Sequence, residues 1–374
     1  MNEKYEWVNA LRGYAILLVI LIHSSQTFSV FGNLKRICDI GYLGVQLFFI
    51  LSSFTLFNSY SKRKKNDLKN TTRNFFLRRF FRIAPYYYIA GLIYIAYHIF
   101  IKDEIINVKN LISNFTFTNG IYLPGINDIP PGGWSVGIEM LFYLFIPILF
   151  KYIDSMLKGV VLFIITVFIS VLINHVFLDE TKAFINMIWF DVKDFVYYFW
   201  LPNQFPIFSL GIVLFFINKQ IVISYKVGNS ILYFSLSLFL FFLFYDFKVE
   251  YPYYFFKKEY VYGIIFVCFA IGLYTTKNRI IINKFIQKIG LVSFSMYLNH
   301  FFILYVLSYL YVGIIKFITF YLHLPEWFVR NNIVFCILYL LVVFFTFYIS
   351  RYTFENIESR GIKFGNKLIK KWSL

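Results

Sequence analysis

A chain of 374 residues that is 59% hydrophobic and 15% charged, with a mean hydropathy of +0.66, does not fold as a soluble domain. Soluble domains hold about 45–50% apolar and about 25% charged residues, so lipid has to take up the surplus apolar surface. A net charge of +17 would point to nucleic acid in a soluble protein; at this hydropathy the Lys and Arg side chains read as topology signals, and no nucleic-acid partner is expected.

The first apolar run, from Ala10 to Thr27, lacks a basic leader and a small-residue cleavage site and reads as a retained span. Further runs follow at about 41–60, 83–101, 136–150, 159–177, 198–217, 228–246, 259–276, 289–311 and 331–350. The fold class is therefore all-α, a polytopic membrane bundle of about ten transmembrane helices. With the N-terminus inside, 25 of the 36 Lys and Arg residues fall on cytoplasmic segments and 11 on outer ones. That bias places both termini in the cytoplasm. Residues 1–374 read as one integral membrane domain, multi-pass in the cytoplasmic (inner) membrane, with no appended soluble domain; the oligomeric state is left open. Cys38, Cys268 and Cys336 show no paired spacing, so neither a disulfide framework nor a metal site is expected.

Ionisable residues inside spans are costly and are the first candidates for function. Arg12 and His23 lie on the first span. Eleven residues is close to three helical turns, so both share a face, about 16 Å apart along the axis. Arg12 near the cytoplasmic end also fits a snorkelling anchor, and His23 fits a packing histidine. Sharing one face favours a lined cavity.

The segment from Ser61 to Arg82 reads as a basic cytoplasmic loop. Its lysines suit contact with anionic lipid. Arg79 and Arg82, at the mouth of the third span, instead place two guanidinium forks on one helix face, as a phosphate site needs.

Trp134 marks an outer interface, and Glu139 follows about a turn and a half inside the fourth span. Glu139 either pairs with His23, fixing its tautomer and raising its basicity, or makes a helix–helix hydrogen bond. In the ninth span Ser293, Ser295, Tyr297, Asn299 and His300 form a polar stripe. The serines suit interhelical hydrogen bonding; His300 suits either role.

Together these residues resemble acyltransferase family 3, integral membrane acyltransferases. Leu11-Arg12-Gly13-Tyr14-Ala15 followed by His23 is similar to its Arg-x10-His signature. Gly44 to Phe54 is similar to its second span, and Arg79-Phe80-Phe81-Arg82 to its Arg-x-x-Arg motif. Trp134-Ser135 through Glu139 to Tyr143, and Ser293 to His300, are similar to two further blocks. Asn9 and Ser53 stand where members often carry an acid and a glycine.

The resemblance implies transfer of an acyl group, acetyl first, from cytosolic acyl-CoA to a hydroxyl of a cell-surface or exported glycan. Acetyl-CoA would be a donor substrate, with no bound cofactor; the partners would be the donor, a carbohydrate acceptor and the bilayer. His23 would be the general base, oriented by Glu139. Arg79 and Arg82 would hold the CoA phosphates, with the pantetheine arm running past Arg12. Trp134, Ser135, Tyr297 and His300 would complete the substrate site. Direct transfer and an acyl-histidine intermediate both fit. The rival class is a transporter or exporter of a glycan or acyl compound, whose inverted repeats and paired broken helices are not evident in the sequence. A lipid-linked glycosyltransferase and an intramembrane protease fit less well, for want of an acidic pair in the first outer loop, a nucleophile elbow or a zinc-binding helix.

Overall fold

A computed structural model describes residues 5–64, 70–175, 198–245, 257–323 and 325–372. Lys65, Asp67 and Lys69 of the basic segment, and the loop expected at 178–197, lie outside the described residues. Helices dominate, and there is no strand among the described residues. In hydrocarbon every backbone N–H and C=O has to be paired within the protein, and a helix does this within one segment. Among the described residues, ten helices are long and apolar enough to cross a membrane.

In chain order the helices are α1 (Glu6–Thr27), α2 (Gly32–Asp39), α3 (Gly44–Lys64), α4 (Thr71–Phe100), α5 (Val108–Phe115), α6 (Gly133–Tyr152) and α7 (Met156–Ile173). Then come α8 (Leu201–Gln220), α9 (Tyr225–Phe244), α10 (Lys258–Thr276), α11 (Lys284–Leu291), α12 (Ser293–Phe320), α13 (Asn332–Thr353) and α14 (Ser359–Trp372). The chain is a multi-pass membrane protein. Its centre is α1, α3 and α8, whose most apolar stretches are 61%, 78% and 72% buried within the protein, while those of α7, α9 and α13 are only 22% buried and leave apolar surface to be covered by lipid.

Three expected boundaries move. The basic segment is no loop beyond Thr71: α4 starts there, so Arg73, Arg78, Arg79 and Arg82 sit on a 30-residue helix. The ninth span is not continuous but breaks at Val292 between α11 and α12. The basic tail is helical too, because a π-helical turn, Phe354–Glu358, carries the chain from α13 into α14.

Close backbone approach fixes α1. A Cβ added at Gly44 would lie 2.4 Å from the Ala15 carbonyl oxygen, and one at Gly41 would lie 2.3 Å from that of Leu18. On the other flank, a Cβ at Gly290 would come within 1.7 Å of the Asn9 carbonyl oxygen, and one at Gly13 within 2.4 Å of that of Ile286. Small residues at such crossings let helices meet at backbone distance.

Candidate active site

Arg12 projects from α1 and donates from Nη2 to Thr55 Oγ1 of α3 at 3.2 Å. Arg79 and Arg82 come from α4, Glu139 and Tyr143 from α6, and Ser293 and Tyr297 from the start of α12; with Arg12 they line one cavity of about 90 Å³. Arg79 lies over the rings of Phe75 (5.8 Å) and Tyr143 (5.9 Å), where a planar guanidinium gains cation–π attraction. A second cavity, of about 390 Å³, shares Arg12, Arg79 and Arg82 and opens past Tyr5, Asn9, Asn58 and Lys62, at the end of the bundle where α1 begins. The i, i+3 spacing of Arg79 and Arg82 thus aims both forks into shared space.

Glu139 is held inside the first cavity. Its Oε1 accepts from the Ser52 hydroxyl and from Tyr143 at 2.6 Å. His23 has a different partner: Nδ1 faces Gln26 Oε1 at 2.9 Å. The pairing of His23 with Glu139 expected from the sequence is not formed; each has another partner. With Gln26 as acceptor, Nδ1 carries the proton and Nε2 keeps its lone pair.

His23 instead meets the ninth span. Its ring centroid lies 5.3 Å from that of His300 and 4.5 Å from that of Phe301. His300 is fully buried, with Nδ1 at 2.7 Å from the Tyr297 carbonyl oxygen. The Tyr297 ring packs against His300 at 5.7 Å and also lines the Glu139 cavity, so aromatic contact is continuous from that cavity to His23.

Ser135 and Tyr297 belong to one network. The Ser135 hydroxyl donates to Tyr297 Oη at 2.8 Å, and Tyr297 donates to the Gly132 carbonyl at 3.0 Å. Gly132, at a φ of +76°, turns the chain into α6 and uses the left-handed conformation open to glycine. Trp134 does not face the arginines; it packs on Phe49 (6.1 Å), Tyr198 (5.4 Å) and Phe199 (4.6 Å). The structure therefore brings Arg12, Arg79, Arg82, Glu139, Ser135 and Tyr297 around one cavity, sets His23 and His300 together beside it, and leaves Trp134 as a support.

Three participants were not singled out from the sequence. Ser52 and Thr55 are ordinary small polar residues of an apolar helix, and only their partners mark them. Glu358 is buried, accepts from Ser295 Oγ at 3.1 Å, and lies 4.0 Å from Arg82 Nε. Its signal was present as an acid within a tail rich in Lys and Arg.

Three guanidinium groups and a carboxylate gathered around one cavity among membrane helices are the kind of costly buried charge that marks a candidate functional site in an integral membrane protein. The acyltransferase domain of family 3 matches residues 5–351. The chain belongs to that acyltransferase family.

It is similar to the peptidoglycan O-acetyltransferase OatA of Listeria monocytogenes, 28% identical over 154 residues that cover 37% of this chain and 23% of that protein. A putative acetyltransferase, ORF330 of Acidianus two-tailed virus, is 25% identical over 159 residues, 41% of this chain and 44% of that one. Protein 2 in the picA locus of Rhizobium radiobacter is 35% identical over 98 residues, 26% of this chain and 47% of that one. The chain spans less than half the length of each of these relatives. No solved structure matches it.

Proposed function

We propose that the protein is a membrane O-acyltransferase that moves an acetyl group from cytosolic acetyl-CoA, or another acyl group from its acyl-CoA, to a hydroxyl of a cell-surface glycan. The observation that carries this reading is the sharing of Arg12, Arg79 and Arg82 between two cavities, one open at the end where α1 begins. Guanidinium forks suit phosphate oxygens, and the positive-inside bias supports a cytoplasmic location for that end, where CoA thioesters are made. The similarity to OatA, a peptidoglycan O-acetyltransferase, supports a glycan acceptor and acetyl as the group.

In this reading the phosphates rest on Arg79 and Arg82, and the pantetheine arm follows α1 past Arg12. His23 Nε2 takes the proton of the acceptor hydroxyl as its oxygen attacks the thioester carbonyl. The carbon–sulfur bond breaks, and the thiol of CoA leaves with the proton. A hydroxyl is a poor nucleophile at neutral pH and needs a positioned base. Glu139 works among the arginines, where it balances their charge and fixes Tyr143, and not on His23.

Mass spectrometry of surface and exported glycans from deletion and complemented strains tests the reading. It predicts an acyl mass difference that returns only with the active gene. Identical glycan masses, with export changed instead, would favour the transporter class.

A further inference from the structure

Beyond the family match, which ends at residue 351, the chain returns to the arginines. α14 packs along α4. Pro85 has no N–H to give the Phe81 carbonyl, and Gly361 sits over that carbonyl: an added Cβ would lie 2.6 Å from the Phe81 oxygen and 3.1 Å from the Pro85 ring. One turn on, a Cβ at Gly365 would lie 2.7 Å from Phe81 Cβ. This seating puts Ile362 and Asn366 into the wall of a cavity of about 120 Å³, whose other lining includes Arg63, Arg78, Arg79 and Arg82.

The π turn that leads into α14 buries Glu358, with 1% of its side chain exposed. Ser295 of α12 holds Oε2 at 3.1 Å. Oε1 makes no hydrogen bond among the described residues and lies 4.0 Å from Arg82 Nε. The turn is itself tied down: Asn299 accepts from Tyr86 and donates to Ser350 (2.9 Å) and Thr353 (3.3 Å). A carboxylate buried beside one cation and left with an open lone pair is expensive unless the pair has a use.

We propose that Glu358 is a positioning residue of the donor site: it engages Arg82 through Nε and so turns the two Nη groups toward the phosphates of the acyl donor. The proposal rests on the acyl-CoA reading above. A guanidinium gripped side-on keeps one edge for its carboxylate and presents the other as a fork. Closing the pair from 4.0 Å to hydrogen-bond length takes about 1 Å of movement, and such contacts tighten on ligand binding. The C-terminal helix is then part of the donor site, because its seating on α4 sets where Glu358 stands.

The test measures binding of CoA and of pantetheine, which lacks the phosphates, to the full-length protein in nanodiscs. Wild type should bind CoA more tightly than pantetheine. Glu358→Gln keeps an acceptor for Ser295 but loses the charge; it should weaken CoA by about ten- to a hundredfold and leave pantetheine unchanged. In an Arg82→Gln background the same change should have no further effect on CoA. Ser295→Ala, which keeps the charge and frees the carboxylate, should give a smaller, equally CoA-selective loss and serves if Glu358→Gln does not accumulate. If wild type does not distinguish the two ligands, the acyl-CoA reading fails and this inference with it. If wild type distinguishes them and the variants lose both ligands equally, lose neither, or bind CoA more tightly, the inference alone is overturned.

Discussion

The imidazole rings of His23 and His300 lie 5.3 Å apart, brought together from α1 and α12. Only His23 has its Nδ1 on a side chain near the bundle surface, Gln26 at 2.9 Å; His300 is sealed, with Nδ1 on a backbone carbonyl. Of the two, His23 is therefore the proposed base that takes the acceptor's proton. His23→Ala should lower acylation by about a hundred- to ten-thousandfold, with normal amounts of protein in the membrane. His300→Ala should cost less, through loosened packing against His23. Glycan acylation normalised to membrane-inserted protein decides; a larger loss in His300→Ala would move the base to α12.

Arg79 and Arg82 are tested by substitutions that keep charge and remove shape. Lys cannot reproduce the planar fork, and at position 79 it also gives up the guanidinium's stacking on Tyr143. A hydrogen bond donated by a charged group is worth about 1.5–3 kcal/mol, so Arg79→Lys and Arg82→Lys should each raise the CoA dissociation constant about ten- to a hundredfold. Lys64→Ala should cost no more than about 1 kcal/mol, as for an exposed charge. Equal losses at all three positions would argue for a diffuse basic surface in place of a site.

Glu139→Gln separates charge from hydrogen bonding. The amide oxygen can still accept from Ser52 and Tyr143, but the negative charge among Arg12, Arg79 and Arg82 is gone. Activity should fall about ten- to a hundredfold with insertion intact, and Ser52→Ala should fall less. Wild-type activity in Glu139→Gln would reduce the carboxylate to a helix-packing group.

The crossing of α3 and α8 predicts a stability effect far from the chemistry. A Cβ at Gly211 would lie 1.9 Å from Ser53 Oγ and 2.1 Å from the Ile50 carbonyl oxygen. Gly211→Ala should destabilise by about 1–3 kcal/mol, seen as a lower melting temperature in detergent. An unchanged melting temperature would mean that the two backbones stand further apart.

Orientation is checked by reporter fusions. The charge bias predicts a cytoplasmic reporter at Lys371 and an external one at Asn127. An external signal at Lys371 would reverse the placement of the arginine cavities and remove the argument for a cytosolic donor.

Most of the ten spans were legible as apolar runs long enough to cross a bilayer, and those near 140 and 207, which read as short, are complete 20-residue helices. What was not legible lies where polarity and backbone part company. α4 begins at Thr71 because a basic helix extends the apolar one without a hydrophobic signal. The break at Val292 comes just after Gly290, which packs against Asn9, and a glycine within an apolar run does not announce its partner. Arg12, Arg79, Arg82 and Glu139 were identifiable one by one, as charges where charge is costly. Which of them meet was not, since pairing is set by how the helices pack: Glu139 went to Ser52 and Tyr143, and His23 to His300. Glu358 was hidden by its neighbours, whose positive charge made the whole tail read as a topology signal.

The glycine contacts along α1 carry a mechanical consequence. Backbone against backbone on two flanks opposes sliding or rolling of that helix, so Arg12 and His23 stand as fixed points about 16 Å apart. On the proposed acyl-CoA reading, such a fixed span makes the chain a jig, in which the reach of the donor's flexible arm, and no stroke of the protein, would determine whether the acyl carbon arrives at His23. Thioesters with a shortened arm should dock and yet remain unreacted.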